Sequence, residues 1–255
     1  MAYQDMPEGD TIFRTAERLR AALQGKRVVS ARPDMLKRLA GTTVSDVQPV
    51  GKHLMIRFDN GLALHTHMRM RGTWQVYPRG QRAARPDWQL KAMLETDDIV
   101  AACFAAPVVE LIRDESSHVG HLGPDILGDG WDVESVVKRA RALSAVAIGE
   151  VMLDQRVTAG IGNVYRCEAL WQRKLDPLKR VAQLTDGELA SLFEVARQAM
   201  LANLGGGPRR RFPGYGRGAV HGQGGRPCPR CGTVIRVRAL GEHARLVYWC
   251  PRCQS

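Results

Sequence analysis

Apolar and polar positions divide the chain into distinct textures. Between residues 10 and 24, Ile12, Ala16, Leu19 and Leu23 fall on one helical face, while Arg14, Glu17 and Arg20 lie elsewhere. Asp10 is the expected N-cap of this helix and Gly25 its stop. Eight short strand-like runs follow, at 27–31, 43–50, 53–58, 62–67, 73–77, 89–95, 99–104 and 108–113. Turn signals such as Asp59-Asn60-Gly61 and Asp97-Asp98 separate them. Many short strands at this spacing predict a β-sandwich or barrel. After Pro124, Gly128 and Gly130 the pattern becomes helical, over 133–143, 148–157, 164–172 and 186–204. Four helices after eight strands imply a second, α-helical domain. Gly205-Gly206-Gly207-Pro208 then opens an irregular segment, and no internal repeat is visible.

The last stretch carries the strongest chemical signal. Cys228-Pro229-Arg230-Cys231 and Cys250-Pro251-Arg252-Cys253 stand eighteen residues apart, a spacing suited to a four-cysteine zinc site. The run from Thr233 to Trp249 is long enough for a hairpin that brings the pairs together. Four thiolates fill the coordination of zinc, so one structural rather than catalytic ion is expected. Two disulfides are the alternative, but nothing in the chain suggests secretion.

Composition narrows the setting. A chain of 255 residues can bury a real core and form two domains. The first ten residues lack the basic and apolar parts of a signal peptide, and no apolar run could span a bilayer. The expectation is a cytoplasmic, nucleoid-associated protein with no membrane partner. Cys103 and Cys167 then read as buried free thiols. The net charge is +11, and from Gly205 to Ser255 ten arginines against one acid, Glu242, give +9. Interleaved with Phe212 and Tyr215, those arginines suit phosphate contact and base stacking, so the predicted partner is nucleic acid.

Several motifs are individually modest. In Gly160-Ile161-Gly162-Asn163 two glycines form a turn between helices, and Asn163 stands where it could cap the second. Amides at a helix start attract phosphate. Lys52, in Gly51-Lys52-His53, alone reads as a surface lysine. His65 and His67 share a strand face. They read as packed or hydrogen-bonded rather than metal-binding, because no acid or cysteine lies at a suitable nearby spacing. Arg69-Met70-Arg71 on a turn tip suits an apolar wedge flanked by phosphate contacts as well as it suits a solvated loop.

Taken together, Met6-Pro7-Glu8-Gly9-Asp10, Gly51-Lys52-His53, Leu122-Gly123-Pro124-Asp125, Leu153-Asp154-Gln155-Arg156, Gly160-Ile161-Gly162-Asn163, Arg245 and the four cysteines resemble, in order, the formamidopyrimidine-DNA glycosylase/endonuclease VIII family. The opening and the Met70 region look most like an actinobacterial endonuclease VIII. The resemblance implies an α+β fold: an N-terminal β-sandwich with a leading helix, a helix-two-turn-helix α domain and a C-terminal four-cysteine zinc finger, with DNA in the cleft between. The expected divisions are an extension at 1–6, a catalytic domain at 7–128, the helical domain at 129–207, a basic linker at 208–227 and the finger at 228–255.

The resemblance further implies excision of an oxidised base and cleavage at the abasic site by β/δ-elimination, on double-stranded damaged DNA with the lesion flipped out. By this likeness Pro7 is the Schiff-base nucleophile, Glu8 the general acid/base, and Lys52 a phosphate ligand that assists proton movement. Asn163 and Arg245 grip flanking phosphates, while Met70 with Arg69 and Arg71 fills the gap in the duplex. Cys228, Cys231, Cys250 and Cys253 hold zinc. Each site needs one chain, so a monomer is expected.

There are departures from the family pattern. Six residues precede Pro7, and Met6 is the expected initiator, because Met6-Pro7-Glu8-Gly9 is intact and a small residue such as proline permits removal of the methionine. If those residues are retained, the alternative is a non-catalytic damaged-DNA binder. Thr11 replaces a further acid. The Arg/Phe wedge of the formamidopyrimidine branch is not visible in 113–123, which favours oxidised pyrimidines or abasic sites. His221-Gly222-Gln223 replaces more usual aromatic and basic residues.

Overall fold

A computed structural model describes residues 7–205 and 218–255. The extension at 1–6, including Met6, and the aromatics Phe212 and Tyr215 lie outside the described residues. The chain packs as two units, Met1–His121 and Leu122–Ser255.

The first unit opens with α1 (Gly9–Leu23), whose Ile12, Ala16, Leu19 and Leu23 are buried on one face. Its N-cap is Glu8, not Asp10: the Glu8 carbonyl accepts from the Thr11 and Ile12 amides at 2.9 and 3.1 Å. Asp10 instead occupies the first turn, where an acid complements the helix dipole. Gly25, at φ +77°, turns the chain out of the helix and bonds the Val44 carbonyl.

Eight strands follow: β1 (Ser30–Arg32), β2 (Val44–Val50), β3 (His53–Phe58), β4 (Ala63–His67), β5 (Thr73–Pro78), β6 (Leu90–Glu95), β7 (Ile99–Phe104) and β8 (Val108–Ile112). They form two four-stranded antiparallel sheets, ordered β1-β6-β7-β5 and β2-β3-β4-β8. Val47, Leu54, Ile56 and Leu64 from one sheet meet Trp74, Leu94, Ala101 and Cys103 from the other in a core that also takes the apolar face of α1. Two sheets sharing one core make a sandwich rather than a closed barrel. Period-two alternation sends His53, Met55, Arg57, His65 and His67 to the opposite face of their sheet. A single helical turn, α2 (Ser116–Val119), follows β8 where the pattern of residues gives no helix signal.

Residues 122–128, assigned by the sequence pattern to the first domain, are hydrogen bonded into the second unit. The Gly123 amide donates to Gln155, the Ala159 amide to Pro124 and the Ile126 amide to Ala159, at 2.8–3.0 Å. In this unit α3 (Val133–Arg141) is capped by Asp132, which accepts from the Glu134 and Ser135 amides. The helix expected over 148–157 is only one turn, α4 (Ile148–Val151), because the chain beyond it pairs with 123–126. Then come α5 (Asn163–Arg173) and α6 (Asp186–Leu201), the latter with a Thr185/Glu188 capping box. β9 (Arg236–Leu240) and β10 (Arg245–Trp249) form the expected hairpin between the cysteine pairs. Its Val247 and Trp249 pack with Cys167 and Trp171 of α5. Among the described residues no helix is long and apolar enough to cross a membrane.

Candidate nucleic-acid interface and zinc centre

In the first unit, Pro7 directly precedes Glu8, the N-cap of α1, and is half-buried, while Glu8 is 1% exposed. The helix thus begins on a carboxylate, with its amide dipoles pointing toward Pro7 and Glu8. The same helix packs on β2 and β3. These strands pair from Val50 to His53, leaving Gly51 and Lys52 as a two-residue hairpin turn. Gly51 supplies the positive φ of +58° that such a turn requires.

Lys52 acts electrostatically on His67, at the end of β4. Burial first, then the charges of Lys52 and Arg69, push the His67 pKa down to about 4. Protonating His67 is thus disfavoured beside two cations, a setting that attracts an anion. The chain then makes one closed turn: the Gly72 amide donates to the Met68 carbonyl at 2.8 Å, and the Arg69 amide to His67 Nδ1 at 3.1 Å. Met68 is buried, whereas Arg69, Met70 and Arg71 are exposed, Met70 by 46%. Arg69 holds φ +44°, an uncommon conformation for a branched-chain-free but bulky residue. A Cβ at Gly72 would lie 2.6 Å from the Met68 backbone, so the turn needs glycine there.

In the second unit, the turn before α5 is held from two sides. Gln155 accepts from the Gly160 amide at 3.0 Å and donates to the Ile161 carbonyl at 3.2 Å. Thr158 donates to the Pro124 carbonyl at 2.8 Å. The N-cap of α5 is Gly162, so Asn163 is its first residue and not its cap. The Asn163 side chain is directed elsewhere: its Nδ2 donates to the Leu246 carbonyl at 2.9 Å, beside Arg245 at the start of β10. The turn and the finger hairpin are therefore joined at the residues the sequence singles out. Arg245 itself is exposed.

Sequence reasoning missed the groups that make this joint. Arg166 is fully buried. It donates to the Leu246 carbonyl at 2.8 Å, to Gly149 at 3.1 Å and to Asn163 Oδ1. Glu168, also fully buried, accepts from the amides of Ala219, Val220 and His221 at 2.8, 3.0 and 2.8 Å. It thereby fixes the chain entering the finger. The signal was present: Arg166 and Glu168 interrupt an otherwise apolar helix in which residues 164–171 are all buried. Charges so placed need internal partners.

The four finger thiols fit zinc. Cys228 and Cys253 Sγ lie 4.0 Å apart, Cys231 and Cys250 Sγ 3.5 Å apart, and all four lie within 4.8 Å of one another. A tetrahedron with zinc–sulfur bonds of about 2.3 Å has edges of about 3.8 Å. Hydrogen bonds from the Thr233 hydroxyl and amide pull the Cys231 thiol down to about 6, whereas burial and the neighbouring thiols push Cys253 up to about 12. A central cation fits among four sulfurs this close and would hold all four as thiolates. The Trp171 indole donates to Cys228 Sγ at 3.4 Å, and Gln254 bridges the Cys250 amide and the Leu175 carbonyl, both at 2.9 Å. Cys103 and Cys167, by contrast, are buried, with pKa values pushed by desolvation up to about 12 and about 11.

Comparison with known proteins agrees with this arrangement. Residues 6–107 match the formamidopyrimidine-DNA glycosylase N-terminal domain, residues 122–209 its H2TH domain, and residues 225–255 the zinc finger found in FPG and IleRS. The chain is 42% identical to the probable endonuclease 8 2 of Streptomyces coelicolor, over 98% of this chain and 94% of that protein. It is 34% identical to the DNA-(apurinic or apyrimidinic site) lyase Nei2 of Mycolicibacterium smegmatis, over 98% and 99%. The Lactococcus lactis formamidopyrimidine-DNA glycosylase, solved on DNA containing an abasic site, has the same fold. The TM-score is 0.81 and identity 21%, over 97% of this chain and 99% of that one.

Proposed function

Because the chain belongs to the formamidopyrimidine-DNA glycosylase/endonuclease VIII family, we propose that it is a bifunctional DNA glycosylase and abasic-site lyase acting on oxidised bases, with pyrimidines preferred. The observation that carries this reading is Pro7-Glu8 at the start of α1, on the strands whose connecting turn bears Lys52.

With Pro7 as the terminal residue, its ring nitrogen is a secondary amine. Terminal amines titrate at about 7.7–8.0 in model peptides, so a neutral nucleophilic fraction exists near neutral pH. The amine attacks sugar C1′ and the damaged base departs with the glycosidic electron pair. The resulting iminium acidifies the C2′ proton; its removal expels the 3′ phosphate, and a second elimination expels the 5′ phosphate. One hard displacement becomes several easier steps. Glu8 serves as the general acid/base that opens the sugar ring and moves these protons. Lys52, next to a histidine disfavoured from protonation, binds a phosphate near the lesion and assists proton movement.

Recognition rests on the remaining groups. Arg245, exposed beside the Asn163–Leu246 joint, and Asn163 contact the phosphates flanking the lesion. Met70, exposed on a closed turn between Arg69 and Arg71, occupies the space left by the flipped nucleotide. One zinc ion on Cys228, Cys231, Cys250 and Cys253 cross-links the finger and takes no part in the chemistry. A single chain supplies every group, consistent with a monomer.

The test is incision of labelled duplexes carrying an abasic site, an oxidised pyrimidine or 8-oxoguanine, by protein beginning at Pro7. The first two should be cut with both eliminations and the third poorly. Salt-sensitive binding without incision of any duplex would instead indicate a damaged-DNA binder.

A further inference from the structure

The outer face of the β2-β3-β4-β8 sheet carries a histidine cluster that the proposed catalysis does not use. Register places His65 of β4 directly opposite Glu110 of β8, 45 residues away in sequence. The segment after β8 folds back over this face. Arg57 of β3 clasps the Glu115 carboxylate at 2.6 and 2.7 Å, and α2 brings His118 to Glu110. Glu110 Oε2 thus lies 3.0 Å from His65 Nδ1 and 3.1 Å from His118 Nε2, and the three atoms are within 4.8 Å of one another. This acid is the one that linear spacing around His65 and His67 could not reveal.

We propose that His65, Glu110 and His118 form a divalent-metal site distinct from the finger, taking zinc or a similar first-row cation. The two short edges match the roughly 3.3 Å edges of a tetrahedron with ligand bonds of about 2.0 Å. Each histidine also has its other nitrogen engaged: His65 Nε2 with His53 Nδ1 at 2.8 Å, and His118 Nδ1 with the Ser117 hydroxyl at 2.8 Å. Outer hydrogen bonds of this kind orient metal-binding imidazoles and select their tautomer. The site is open on one side, with Glu110 47% and His118 28% exposed, so an ion can enter and a water can complete the shell. Two imidazoles and one carboxylate suit zinc, and also nickel or copper, better than calcium or magnesium. Bound metal would pin residues 113–121 to the sheet.

The test is metal titration of the full-length protein with its finger loaded, using Zn²⁺ by calorimetry and Co²⁺ by absorption. The account predicts a second equivalent per chain whose cobalt spectrum lacks thiolate charge transfer. Glu110→Gln and His118→Ala, both at partly exposed positions, should each weaken that second equivalent at least about tenfold while leaving the finger metal in place. His65→Ala should abolish it. Binding of a single equivalent only, or a second equivalent unchanged in both Glu110→Gln and His118→Ala, would overturn the proposal.

Discussion

Asn163 donates its side-chain amide to the Leu246 carbonyl at 2.9 Å, joining the first residue of α5 to the finger hairpin 83 positions later. The residue expected to grip DNA is thus also the one that seats Arg245 beside it. Asn163→Ala should weaken binding to abasic-site duplex roughly tenfold or more, since the hydrogen bond to the finger hairpin and a DNA contact are lost together. The cleavage rate at saturating DNA should fall less than the affinity. Titration of fluorescent duplex against single-turnover incision separates the two.

Glu168 makes a purely architectural prediction. Its buried carboxylate accepts three backbone amides from residues 219–221. Glu168→Gln replaces one acceptor by a donor facing a donor and removes the charge. It should cost about 3 kcal/mol in chemical denaturation of the zinc-loaded protein. A change below about 0.5 kcal/mol would mean that these bonds do not hold the entry to the finger.

Gly72 tests the Met70 turn. A Cβ there meets the Met68 backbone at 2.6 Å, so Gly72→Ala must open the turn. Met70→Ala leaves the turn intact and removes only the exposed side chain. Both variants should lose activity on base lesions in duplex more than on pre-formed abasic sites, because extrusion of a paired base is where filling the gap matters. Paired kinetics on the two substrates provide the check.

The two groups of cysteines should differ in reactivity. At pH 8 a thiol with a pKa near 12 is ionised to roughly one part in ten thousand. Iodoacetamide should therefore leave Cys103 unmodified in the folded protein, with or without chelator. Chelation should expose Cys228, Cys231, Cys250 and Cys253 to labelling, as mass spectrometry of the peptides would show, and DNA binding should fall with them.

Local pattern made much of this molecule legible. The apolar face of α1, the alternation in β3 and β4, and the cysteine spacing each encode their own structure within a few residues. What was hidden depends on pairing across long separations. By composition Asp10 is the better cap, yet the course of the backbone starts the helix at Glu8, whose side chain makes no capping bond. The single turn of α4 ends because residues 155–159 pair with 123–126, which helical periodicity cannot report. Glu110 meets His65 only through sheet register, and Arg166 finds the Leu246 carbonyl only once the hairpin has docked.

The central claim is that Pro7 is the nucleophile, and borohydride reduction in the presence of abasic-site DNA tests it directly. Protein beginning at Pro7 should form a covalent protein–DNA adduct, with the modified peptide mapping to Pro7, and Pro7→Gly should form it at a much reduced level. Absence of any adduct from correctly processed protein, or an adduct mapped to Lys52 with Pro7 unmodified, would contradict the account.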